Sequence, residues 1–167
     1  MPGSLGPVLS PPPWKESLLR VRDLAEATGR GLLAGAVGTA VMTVSSTLEA
    51  KLRDRGPSSA PADAAGKVLG IQPRDSAGQA RFSSVVHWSY GTSWGAVRGI
   101  IGLSGLGPVG AATAHFATVW GSSLVMLPAL GVAPPIWQSP PAEVATDAFH
   151  HAVYAAASGC AYTAISA

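Results

Sequence analysis

Residues 31–50 read GLLAGAVGTAVMTVSSTLEA, an apolar and small-residue run that carries no charge until Glu49. About 20 such residues make a helix long enough to cross a hydrocarbon core of ~30 Å. The stretch therefore predicts a membrane span. Gly31, Gly35 and Gly38 recur at helical spacing, and small residues at that spacing let a second helix approach closely. Glu49 closes the run. An acid inside a membrane-length apolar segment is costly, which marks it as a candidate functional group.

Three more stretches extend this reading: 82–103, FSSVVHWSYGTSWGAVRGIIGL; 108–130, PVGAATAHFATVWGSSLVMLPAL; and 146–166, TDAFHHAVYAAASGCAYTAIS. Together with 31–50 they predict an all-α, integral membrane four-helix bundle occupying residues 31–167. Ahead of it, Trp14, Leu18, Val21 and Ala25 recur at helical spacing among charged neighbours. Residues 14–30 are expected to form an amphipathic juxtamembrane helix, either lying in the headgroup region or extending the first membrane helix into water. Residues 1–13, MPGSLGPVLSPPP, are expected to be disordered. They have no basic segment of the secretory type, so the first span is expected to act as its own insertion signal.

Composition agrees. Of 167 residues, 47% are hydrophobic and only 12% are charged, about half the charge of an ordinary soluble domain. Mean hydropathy is +0.30. The formal net charge of +2 comes from basic residues flanking the apolar runs, a pattern of interfacial anchoring without the basic stripe that tracks nucleic acid. The expected partners are the lipid bilayer and further copies of the chain, not nucleic acid. Basic residues divide between the two faces, so the positive-inside rule sets no orientation. Cys160 is the sole cysteine, which excludes an intrachain disulfide and every multi-cysteine metal motif. It reads as a small packing residue. Trp88, Trp94, Trp120 and Trp137 read as packing or interface anchors.

Four crossings place the end of the first span and the starts of the second and fourth at one face. Glu49, His87, Asp147, His150 and His151 then share a layer, with His87 and His151 roughly 8 Å inside at 1.5 Å per residue. Arg98 and His115 fall in a second polar layer nearer the opposite face. Gly91, Gly95 and Gly99 form a doubled small-xxx-small stripe, expected to pack against the glycines of the first span.

The first layer suits three chemistries. Histidine titrates near neutrality and responds to a nearby carboxylate, so Glu49, His87, Asp147 and His151 form a candidate proton-responsive layer. The same four residues could ligate a divalent metal. His87 with His150 or His151 could supply axial ligands to haem. No cofactor is predicted, and a divalent metal is the alternative. The bland alternative is that the polar groups bind one another and fix register in a non-catalytic assembly module. Enzymatic activity is not expected. No GxSxG elbow surrounds the serines, and neither a P-loop nor a dinucleotide fingerprint occurs.

On these residues the chain resembles the YagU-like family of bacterial inner-membrane proteins, a domain of unknown function. The resemblance starts at GLLAGAVGTAV, passes through Glu49 and His87, and is fullest at PALGVAPPIWQSPPAEVATDAFHHAVY, residues 128–154. Pro128, Gly131, Pro134, Pro135 and Trp137 look like the family's loop, followed by Asp147 and His151 in the family's order. It covers about residues 31–155. The resemblance implies a small multispanning protein of the bacterial inner membrane linked to survival of acid, with no implied transport or catalysis. His115 and His150 have no counterpart in the pattern, which leaves Glu49, His87, Asp147 and His151 as the favoured residues.

Overall fold

The computed structural model describes residues 13–56 and 58–167, with the backbone alone for 13–19. Residues 1–12 of the tail expected to be disordered, and the Trp14 and Leu18 side chains, lie outside the described residues. What is described is helical throughout: α1 (Pro13–Leu52), α2 (Ala60–Leu69), α3 (Ser76–Gly102), α4 (Pro108–Ala129), a 3-10 turn at Ile136–Gln138, and α5 (Pro141–Ser166).

The backbone does not break at residues 30–31. Residues 14–30 and the first apolar run are one continuous helix. Proline would have interrupted the helical ladder, and none occurs between Pro13 and Leu52. The two glycines flanking Arg30 lower propensity by only about 1 kcal/mol each. Elsewhere the ends follow local chemistry. Asp75 caps α3 by accepting a hydrogen bond from the Gly78 N–H at 2.6 Å. Pro108 and Pro141 open α4 and α5, where the missing N–H is no loss. Gly131, at φ 61°, follows the end of α4. The Lys67 ammonium of α2 donates to the Leu130 and Gly131 carbonyls at 2.8 Å each, placing a cation on the negative end of that helix.

The long helices run up and down. Along α1, Gly31 meets Gly95 and Gly99, Gly91 meets Thr39, and Thr43 meets His87, so α1 and α3 are antiparallel. Gly38 meets Tyr154 and Ser158, and Ser45 meets His150, so α1 and α5 are antiparallel too. α4 closes the bundle on the far side, against α5 and α3.

The contact between α1 and α3 depends on missing side chains. A Cβ on Gly95 would lie 2.2 Å from the Gly31 carbonyl oxygen, and one on Gly99 would lie 2.0 Å from the Ala27 oxygen. The backbones therefore touch, as in close-packed membrane helix pairs.

Polarity is inverted relative to a water-soluble bundle. The largest fully buried side chains are His115, Thr39 and Ser158, and the remaining core is mostly alanine and glycine. The large apolar side chains face outward: Val44 is 69% exposed, Val85 64%, Val125 72% and Phe149 59%. Cys160, expected as a small packing residue, is exposed on α5. Over Arg20–Leu52, α1 is long and apolar enough to cross a membrane, and among the described residues it is the one helix that is so by length and composition. Serine, threonine, glycine and histidine dilute the other three.

Candidate functional site

The polar layer at the first-loop face is built where α1 ends and α5 begins. α1 terminates in a turn at Asp54, whose φ of 51° is left-handed, a conformation that aspartate tolerates better than most residues. That turn folds Arg55 back onto Glu49. The Arg55 guanidinium spans both carboxylate oxygens, with its Nε 3.1 Å from Oε1, while Arg53 Nε lies 3.2 Å from Oε1. The Glu49 hydrogen bond raises the Arg55 pKa above its ordinary value. Arg55 therefore stays charged at any physiological pH, and Glu49 has a permanent cationic partner.

The bundle-side partner of Glu49 is His150. Its Nε2 sits 3.7 Å from Glu49 Oε2, longer than a hydrogen bond but within ion-pair reach. Its Nδ1 is 2.9 Å from the Ser45 hydroxyl. A carboxylate only accepts, so the tautomer with Nε2–H toward Glu49 fits best, with the Ser45 O–H donating to Nδ1. The ring is buried, and Nε2 makes no hydrogen bond to protein. Glu49 and Arg53 also line a shallow surface cleft of about 480 Å³ with Ala142, Ala145, Thr146 and Phe149. The carboxylate thus touches the outside on one side and a buried imidazole on the other.

A second pair lies one residue on, facing α4. Asp147 Oδ1 is 3.4 Å from His151 Nδ1, and Asp147 Oδ2 accepts a hydrogen bond from the Trp120 indole N–H at 2.8 Å. His151 Nδ1–H also donates to the Asp147 backbone carbonyl at 2.9 Å. Asp147 is half-exposed and His151 largely covered.

His87 joins neither pair. Its Nε2 is 2.8 Å from the Thr43 hydroxyl. Thr43 donates its one proton to the Thr39 carbonyl at 2.7 Å, so His87 Nε2–H must be the donor. Thr43 stands six positions before Glu49, roughly 9 Å along the axis. Of the four residues expected in the proton-responsive layer, Asp147 and His151 pair, Glu49 pairs instead with His150, and His87 is held apart. Among the described residues no three of histidine, cysteine, aspartate and glutamate converge as a metal-ligand group.

Sequence reasoning underrated His150. The signal was present in its spacing: His150, Tyr154 and Ser158 recur every four residues and all three are buried. That stripe faces α1 and α3, where Tyr154 O–H donates to the Gly91 carbonyl at 2.6 Å. The stripe containing Asp147 and His151 turns toward α4.

The second polar layer holds the most deeply buried ionisable groups. His115 is fully buried, and its Nε2–H donates to the Trp94 carbonyl at 3.0 Å. Arg98 is 3% exposed, with its guanidinium carbon 4.4 Å from the centre of the Tyr162 ring.

Comparison with family models, curated proteins and solved structures finds no match to this chain.

Proposed function

We propose that this chain is a multi-pass protein of the bacterial inner membrane, that α1, α3, α4 and α5 each cross the bilayer, and that its paired histidines and carboxylates respond to protons in support of acid tolerance. The observation that carries the membrane part is the inverted partition of side chains. Valines, leucines and a phenylalanine cover the outside while histidine, arginine, serine and threonine fill the inside. Burying one large apolar side chain is worth about 1.5–3 kcal/mol, so a surface of this kind calls for an apolar solvent. Lipid supplies one, and it also explains why Thr39, the Tyr154 hydroxyl and His115 Nε2 bond to backbone carbonyls of the bundle, since lipid offers them nothing. The helices are long enough: α4, the shortest of the four at 22 residues, extends roughly 33 Å at 1.5 Å per residue.

The proton-responsive part is supported by the two pairs. In each, an imidazole stands within ion-pair distance of a carboxylate, so gain of a proton by the ring creates a favourable contact. Glu49, held ionised by Arg55, borders a cleft open to the outside and presents its charge to the His150 ring, which Ser45 holds in place. The resemblance to the YagU-like family points the same way.

Acid survival tests this reading. Cells that depend on the chain are expected to survive an acid challenge with the wild type and to lose that survival with the double variant His150→Ala, His151→Ala. Equal survival, with the variant present in the membrane at the wild-type level, contradicts the proposal.

A further inference from the structure

Arg98 presents a charge problem that the proton-responsive layer does not address. A guanidinium stays protonated under all biological conditions, and this one is 97% buried by its 3% exposure. A buried charge is ordinarily paired. No carboxylate among the described residues pairs with Arg98; the ion pairs of Glu26, Glu49 and Asp147 are made elsewhere. Its Nε and Nη1 are both out of solvent and donate to no protein acceptor. Tyr162 covers a face of the guanidinium without neutralising it. The in-plane N–H groups are therefore what remains available. On the Nε side the bundle is lined by the smallest residues. A Cβ on Gly159 would stand 4.0 Å from Arg98 Nε and 3.4 Å from the Ala112 Cβ.

We propose that Arg98 is the centre of an anion-binding site inside the bundle, accepting a compact monoanion such as chloride or the carboxylate of a small acid. The guanidinium supplies charge and directed donors. Tyr162 fixes its plane, and Gly159 and Ala112 leave room beside Nε. The site lies toward the end of the bundle opposite Glu49, and it stands whether or not the histidine pairs respond to protons.

The test is thermal unfolding of the full chain in detergent, in sodium chloride, sodium formate or sodium gluconate at constant ionic strength. A bound ligand stabilises the folded state by mass action. Chloride or formate is expected to raise the melting temperature saturably, by on the order of 3 °C, relative to the bulky gluconate. Arg98→Lys keeps the charge but loses the Nε donor, and should weaken the apparent affinity at least about fivefold. Should Arg98→Lys fail to fold, Gly159→Ala carries the test, because its added methyl makes ordinary contacts yet occupies the space beside Nε; it too should weaken binding severalfold. Identical melting in all three salts overturns the proposal, as does an undiminished response in the folded variants.

Discussion

At the scale of single residues, adjacent histidines have separate partners. His150 reaches across to Glu49 and Ser45 on α1, while His151 stays on its own helix with Asp147. Neighbouring positions on a helix are about 100° apart, so one faces α1 when the other faces α4. This makes a pairwise prediction for histidine titrations followed by NMR in micelles. Asp147→Asn should move the His151 midpoint, whereas Glu49→Gln, on the other helix, should leave it in place. Neither substitution should move His87, whose partner is the uncharged Thr43. Movement of His87 and His151 together would mean one coupled site and contradict the arrangement in which His87 stands apart. The residue types and their shared end of the bundle were legible in the sequence, because chain direction alone sets depth. The pairing was not. It depends on the rotation of α5 about its axis, which the buried faces of α1 and α4 determine together.

At the scale of elements, the glycines separate into two kinds. Gly95 sits where the α1 and α3 backbones touch, and a Cβ there would lie 2.2 Å from the Gly31 oxygen. Backbone cannot yield as a flexible side chain can. Gly95→Ala should therefore force the helices apart and destabilise the folded protein by roughly 1–3 kcal/mol, the usual scale of overpacking. Gly29, on α1, has nothing within 4 Å of its would-be Cβ. Gly29→Ala should be neutral or stabilising, by up to about 1 kcal/mol, because alanine is the better helix former. Unfolding both variants in detergent checks this; equal effects of the two substitutions would contradict the contact. The spacing of Gly91, Gly95 and Gly99 made the stripe visible before any coordinates. The sequence left two places for residues 14–30, since a polar segment followed by an apolar one reads as two environments; the backbone has no reason to break between them, and α1 is continuous.

At the scale of the whole molecule, the bundle places apolar bulk outside and polar, small residues inside. The sequence showed the deficit of charge and the apolar runs. It could not show which side chains turn outward, because α3, α4 and α5 mix glycine, serine and histidine with valine and alanine on every face. Only the packed bundle separates them. Side-specific labelling of single cysteines in membrane vesicles tests whether four helices of this bundle cross a membrane. With Cys160→Ala as background, cysteines would be introduced as Ser58→Cys before α2, Ser104→Cys between α3 and α4, and Gln138→Cys in the turn before α5. An impermeant thiol reagent should reach positions 58 and 138 from one side and position 104 from the other. Labelling of position 104 from the same side as 58 and 138 would contradict the four-crossing bundle.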